Sequence, residues 1–298
     1  MLLSIIIPTY NRAYIIENAI KSVLEQGYAN WELLIIDDGS TDNTKDIVAK
    51  YLEKDFRINW FEYENNMGVN HARNLGIKNA KGDYIIFLDS DDQVLENAFD
   101  IIIENIENYP DMTVYRYMTE NEKGEKRARI IGKYQIPTDI KSYLSGTKIY
   151  GEFLTVVRND VMKDNLFVEG LNGFEGITWY LIAKEQMGKQ IYINKVLRFY
   201  NNSTDSIIRD SNITKKKIEN SIRGYELKLN IMGNDLKKYN LYGKEGYVII
   251  NAVLGKLYML IGDKKNGIKC TLKAIKYNLF ELRCWRNLFL LFFAKPYH

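Results

Sequence analysis

The residues best equipped for chemistry are the acidic run Asp89-Ser90-Asp91-Asp92. Asp89 and Asp91 fall on one side of an extended turn, and a carboxylate pair of this kind binds hard divalent cations, Mn²⁺ or Mg²⁺, through oxygen. Such an ion keeps coordination positions open for a substrate's phosphates. Asp92 also suits a plain turn or helix cap, where aspartate is favoured. A calcium EF-hand loop fits badly, because Val94 stands where that loop needs glycine. A second polar cluster is Asp37-Asp38-Gly39-Ser40-Thr41-Asp42, and a third is Gly68 with Arg73 and Asn74. His71 lies inside the third cluster and is given no role, since most such histidines are packed or solvated.

These clusters need elements to hold them. Through residue 120 the chain alternates short apolar runs with helical periodicity, the pattern of βα units around a mostly parallel sheet. Strands are expected at 3–7 (ended by Pro8), 31–37, 58–63, 83–88 and 112–118. Helices are expected at 14–26, 42–52 (capped by Ser40 or Thr41), 69–80 and 95–108. In open α/β sheets ligands bind beyond the carboxyl ends of strands. The first strand delivers Pro8-Thr9-Tyr10-Asn11-Arg12 there, the second the Asp37 cluster and the fourth the Asp89 run. Residues 119–136 read as a hairpin tip or mobile loop. A strand at 153–157, a helix at 178–186 and a strand pair at 190–193 and 196–200 follow. A polar link from Asn201 to Asn212 leads to a helical C-terminus with apolar stripes at 250–261 and 268–279.

Taken together, Pro8-Thr9-Tyr10-Asn11, Asp37 to Asp42, Gly68 to Asn74 and Phe87 to Asp92 resemble, in order and spacing, the family 2 glycosyltransferases. The resemblance covers residues 1–120 strongly and continues more loosely to about Tyr200. It implies a GT-A fold, a nucleotide-sugar donor, usually UDP-linked, a divalent metal and inversion at the anomeric carbon. By position, Pro8, Thr9, Tyr10, Arg12, Asp38, Gly68, Arg73, Asp89 and Ser90 would bind the nucleotide-sugar. Thr9 and Tyr10 would line the nucleoside pocket, Asp38 would contact the base and Arg73 would approach the diphosphate. Asp89 would touch ribose or the metal shell, and Asp91 would hold the Mn²⁺ or Mg²⁺. The acceptor hydroxyl, with a pKa far above 7, needs a general base.

Here the chain departs from the family's pattern. The usual Glu-Asp pair opening a helix is replaced by Phe174-Glu175-Gly176. Glu175 is the only carboxylate at the head of that helix and is the expected base, with Glu169 in reserve. An acidic residue at a helix N-terminus is also favoured by the dipole alone. Two rivals stand beside this reading: a relative that binds nucleotide-sugar without turnover, and a nucleotidyltransferase, whose glycine- and arginine-rich loop after the first strand is missing here.

The chain has 298 residues, 46% apolar and 27% charged, enough for a sizeable core and not the composition of a disordered protein. No window approaches the roughly 18 apolar residues of a membrane span. The opening residues lack a basic n-region, so no signal peptide is expected, and Cys270 and Cys284 are expected as reduced thiols of a cytoplasmic protein. The net charge of +3 conceals 24 basic against 32 acidic residues through position 210 and 17 against 6 after it. Lys269, Lys273, Lys276, Arg283 and Arg286, beside Trp285, Leu288, Phe289 and Phe292, resemble an amphipathic segment on an anionic membrane. A solvated lysine face on a packed helix pair is the plainer alternative. No nucleic-acid-binding motif accompanies the charge. The expected division is a GT-A catalytic domain at 1–200 and a basic helical extension at 201–298. The expected reaction moves sugar to a glycan or lipid-linked oligosaccharide, in the cytoplasm or peripherally on the inner face of the cell membrane.

Overall fold

A computed structural model describes residues 1–145, 148–201, 214–240, 243 and 246–293. In chain order the first elements are β1 (Leu3–Thr9), α1 (Ile16–Leu24), β2 (Trp31–Asp37), α2 (Thr44–Leu52), β3 (Ile58–Glu62), α3 (Val69–Asn79) and β4 (Tyr84–Phe87). Next come β5 (Gln93–Val94), α4 (Ala98–Asn108), β6 (Val114–Glu120), β7 (Ala128–Ile130), β8 (Tyr134–Gln135), α5 (Ile140–Leu144), β9 (Ile149–Gly151) and β10 (Leu154–Arg158). The rest are α6 (Asn159–Asp164), α7 (Gly176–Glu185), β11 (Gln190–Phe199), α8 (Lys215–Tyr239), α9 (Tyr247–Leu260), α10 (Lys264–Ile275) and α11 (Leu282–Phe293).

Strand side chains alternate between two apolar layers, which is why helices cover both faces of the sheet. On one side Leu3, Ile5, Ile7, Leu33, Ile35 and Ile86 pack against Ile16, Ile20 and Val23 of α1 and Phe99 and Ile102 of α4. On the other, Ile6, Leu34, Ile36, Ile85 and Phe87 meet Ala72 and Ile77 of α3, Met162 of α6 and Ile182 of α7. The sheet order is β3-β2-β1-β4-β10-β6-β11-β5, with β8 added on β11. The first four strands are mutually parallel, whereas β10 runs antiparallel to β4 and β6. The expected mostly parallel sheet is therefore parallel in its first half and mixed beyond it.

Pro8 does not end β1, which continues to Thr9. The ladder to β4 stops at the Ile6–Phe87 pair, and the Leu88 N–H donates to Ile6 O. Backbone groups alternate sides, so the Pro8 nitrogen faces the β4 side past the end of its ladder, where no N–H is needed. The expected pair at 190–200 is one ten-residue strand with register shifts between Ile193 and Arg198, not a hairpin. Residues 119–136 contain β7 and β8, and β7 pairs with β9 in a small second sheet.

The chain divides into two compact units, Met1–Asp139 with Gly146–Ser203, and Ile140–Ser145 with Thr204–His298. The first holds the sheet. The second is helical, and Val248, Ala252, Ala274 and Cys284 form a buried cluster within it. Cys270 and Cys284 are free and buried, and burial pushes the Cys284 thiol up to about 11. Residues 202–212 of the expected Asn201–Asn212 link and the side chains of Phe289 and Phe292 lie outside the described residues. Among the described residues no helix is long and apolar enough to cross a membrane.

Candidate active site

Parallel β1, β2 and β4 bring three strand ends to one rim, and the loops there are tied to one another. Asn11 adopts φ 51°, a left-handed conformation that asparagine tolerates. Its N–H donates to Ser40 Oγ at 2.8 Å, and its Oδ1 accepts the Thr41 N–H at 2.8 Å. The Ser40 hydroxyl in turn donates to Asp37. The Arg12 N–H donates to Thr44 Oγ1 at 3.0 Å, and the Arg12 guanidinium to the Tyr14 hydroxyl at 2.9 Å. Thr9 is buried with Oγ1 unpartnered, while Tyr10 is exposed.

Asp38 is buried at the end of β2, and burial pushes its carboxyl above the ordinary range. Its two oxygens accept the Met67 N–H at 2.7 Å and the Gly68 N–H at 2.8 Å. The aspartate thereby fixes the entry to α3. Gly68 has φ 99°, a conformation that calls for glycine, and a Cβ there would also lie 2.8 Å from the movable end of Asn172, its Nδ2.

Arg73 joins the acidic run to the head of α7. Its Nη2 donates to Asp89 Oδ1 at 2.9 Å and its Nη1 to Glu175 Oε1 at 3.4 Å. The Phe167 ring lies beneath the guanidinium, with the centroid 5.7 Å away. At Asp89 burial raises the pKa, but Arg73, Arg198 and Arg12 outweigh it and hold the group below the ordinary range. Asp91 goes the other way: burial first, then the charge of Asp89, raise it. Ser90 is buried between them. Burial pushes Asp92 up to about 7 against the pull of Arg198, whose Nε stands 3.4 Å from Asp92 Oδ2. Arg198 also donates to Glu152 at 3.1 Å.

The segment before α7 is pinned to α3 by residues that sequence reading left without a role of their own. Asn74, fully buried, pairs with the backbone of Phe167 in both directions at 2.9 Å and donates to Glu169 Oε1 at 3.1 Å. Asn70 donates to Val168 O and Leu171 O, each at 3.1 Å. His71 Nδ1 stands 3.3 Å from Glu169 Oε2, beside the carboxylate that Asn74 holds on Oε1. At Glu175 both contacts, from Gly173 N–H and Arg73, fall on Oε1. Their spacing on one helix, Asn70 and Asn74 four residues apart, was the available signal. Arg198 and Glu152 left none, because their meeting depends on strand register.

The structure thus brings Arg73, Asp89 and Glu175 into direct contact, with Asp91 and Arg12 alongside, and seats Pro8, Thr9 and Tyr10 on the neighbouring strand end. Asp38 and Gly68 form a separate hydrogen-bonded corner at the start of α3. Among the described residues no group of three or more His, Cys, Asp or Glu side chains is placed to hold a metal.

The family model for glycosyl transferase family 2 matches residues 4–165. The chain belongs to glycosyl transferase family 2. This glycosyltransferase is 31% identical over 243 residues, 79% of its length and 75% of the relative's, to the GalNAc(5)-diNAcBac-PP-undecaprenol beta-1,3-glucosyltransferase of Campylobacter jejuni. It is 30% identical over 270 residues, 90% of its length and 98% of the relative's, to the UDP-Glc:alpha-D-GlcNAc-diphosphoundecaprenol beta-1,3-glucosyltransferase WfgD of Escherichia coli. In fold it is similar to S. aureus TarS 1-349 in complex with UDP-GlcNAc, with a TM-score of 0.64 at 19% identity over 93% of this chain and 81% of that one. The glycosyltransferase therefore has the GT-A architecture that its motifs implied.

Proposed function

We propose that the rim built by Arg73, Asp89, Asp91 and Glu175 is the donor and transfer site for moving a sugar from a UDP-sugar to a hydroxyl of a lipid-linked glycan, with inversion. The names of the two enzymes compared above describe beta-1,3-glucosyl transfer to undecaprenol-linked acceptors, and WfgD's names UDP-Glc as donor. A beta product from an alpha-linked UDP-sugar is an inverted one. The observation that carries the reading is the single guanidinium of Arg73 touching both the donor corner at Asp89 and the base candidate Glu175.

In this reading Pro8, Thr9 and Tyr10 line the nucleoside pocket, with the unpartnered Thr9 Oγ1 available to a ligand. Asp38 borders the base by fixing the Met67 and Gly68 N–H groups. Arg73 and Arg12 present fixed positive charge where the leaving diphosphate accumulates negative charge. Asp89, Ser90 and Asp91 form the corner for Mn²⁺ or Mg²⁺, an ion that takes one or two carboxylates and completes its shell with phosphates and water. Burial and then the charge of Asp89 raise the pKa of Asp91 against the pull of Arg12 and Arg198, so a cation at the pair would stabilise its ionised form. The ion would supply Lewis-acid neutralisation of the departing diphosphate. Glu175 takes the acceptor's proton on Oε2, the oxygen free of the Arg73 and Gly173 contacts. Glu169 serves as a strut, since Asn74 donates to its Oε1 and His71 stands beside its Oε2. A lipid-linked acceptor places the enzyme peripherally on the inner face of the cell membrane.

Glu175→Gln tests the assignment. Loss of a positioned general base costs about 10² to 10⁴ in rate. Transfer to an undecaprenol-linked acceptor should fall by that much while UDP affinity is kept. Unchanged transfer in Glu175→Gln, with loss in Glu169→Gln, would give the base to Glu169.

A further inference from the structure

The turn between α10 and α11 and the helix ends that flank it expose side chains that a water-soluble surface does not need. Phe280 is 86% exposed, Leu282 81%, Leu272 and Leu279 54% each, and Trp285 50%. All five lie within fourteen residues, and three of them stand in the stretch 279–282. Single exposed apolar residues are ordinary, whereas a cluster of large ones marks a contact surface. The turn is also a built feature: Trp285 Nε1–H donates to Leu279 O at 2.8 Å, so the indole braces the loop while half its surface stays outside.

Charge identifies the occupant. From Lys264 to Arg286 the sequence has seven basic residues and one acidic one. Lys273, Lys276, Arg283 and Arg286 are exposed around the apolar tip, and the one acid, Glu281, lies 3.5 Å from Arg283. Apolar and aromatic side chains ringed by lysine and arginine match the boundary of an anionic bilayer, where rings and alkyl groups enter the acyl region and cations stay among the phosphates. A second copy of this strongly basic surface would bring like charges together.

We infer that Leu279, Phe280, Leu282 and Trp285 form an insertion tip through which this chain docks on an anionic lipid surface. The inference deepens the proposal of a lipid-linked acceptor and rests on it for its purpose, but the docking stands on the geometry of the second unit alone.

Flotation of the full chain with vesicles tests it, comparing phosphatidylcholine alone with a phosphatidylcholine–phosphatidylglycerol mixture. The wild-type chain should float with the anionic mixture and weaken as salt rises. The double variant Phe280→Ser/Leu282→Ser should lose about tenfold or more in partitioning, with its thermal unfolding unchanged because both side chains are already exposed. Lys273→Gln/Lys276→Gln should lose about fivefold per charge removed. Both variants should release UDP from UDP-glucose into water at the wild-type rate. Absence of flotation with anionic vesicles, equal flotation with both vesicle types, or a serine variant that floats like wild type would overturn the inference. So would a lipid-free dimer that the serine variant converts to monomer, since the tip would then be covered by a second copy. Intact flotation without turnover of any UDP-sugar would instead leave the docking in place and sink the donor assignment.

Discussion

Asn74→Ala should separate the holding of the active-site loop from the binding of donor. The side chain is fully buried and makes three hydrogen bonds, two to the Phe167 backbone and one to Glu169. Alanine would leave the Phe167 N–H and C=O without these partners, and a buried polar group left unsatisfied costs about 1–3 kcal/mol. A total near 3 kcal/mol corresponds to a fall of roughly 6–12 °C in melting temperature for a unit of this size. Asn74→Asp should do no better. It keeps an acceptor for the Phe167 N–H but sets a carboxylate against the Phe167 carbonyl and Glu169. Because the same loop leads into Glu175, kcat should drop by about tenfold or more, the cost of loosening a positioned group. The nucleoside pocket proposed above lies on other strand ends, so UDP affinity should change less than twofold, roughly 0.4 kcal/mol. Thermal unfolding, UDP titration and turnover on the full chain read these three quantities. A variant that melts and turns over like wild type would refute the claim that the asparagine holds the base in place.

Three further outcomes follow from the geometry. Gly68→Ala forces a left-handed backbone on alanine, at a cost of about 1–3 kcal/mol, and drives its Cβ toward Asn172; a lower melting temperature and a raised donor KM should result, and neither should be fully rescued by Asn172→Ala. Arg198→Met strips the cation from Asp92, Asp89 and Glu152 and should lower stability in urea unfolding by an amount that grows as pH rises through 7, where Asp92 ionises; Asp92→Asn in the same chain should remove that pH-dependent part. Burial holds Asp92 at about 7 in the folded chain against 3.8 as a reference, so the folded state binds its proton more tightly. This group's contribution to stability is therefore full below about pH 4 and declines as pH rises through 7; melting temperature followed from pH 4.5 to 7.5 should lose that component in Asp92→Asn.

Much of this architecture was legible because local pattern and tertiary role agree. Leu33–Ile36 is apolar throughout and lies in a strand covered on both faces, and polar residues follow that strand at Asp37-Asp38-Gly39. The acidic corner was legible for the same reason, since strand ends in a parallel sheet share one rim. Other features were hidden in register. Pro8 looks like a terminator, yet β1 runs on because the neighbouring ladder has already stopped. Asn194 and Lys195 look like a turn, yet they sit at the first register shift of a continuous β11. Glu169 and Glu175 are indistinguishable as carboxylates in sequence; only the fold places Asn74 and His71 against the one and Arg73 against the other. Arg198 meets Asp92 across more than a hundred residues, and no short-range pattern announces such a pairing.

Calorimetric titration of UDP, with Mn²⁺ and with chelator, onto wild-type chain, Asp91→Asn and the surface control Asp160→Asn tests the rim as a metal-assisted donor site. Wild type and Asp160→Asn should bind UDP at least about tenfold more tightly with Mn²⁺, a difference of roughly 1.4 kcal/mol, and Asp91→Asn should lose that gain. UDP affinity that ignores both the ion and the Asp91 substitution would contradict the account.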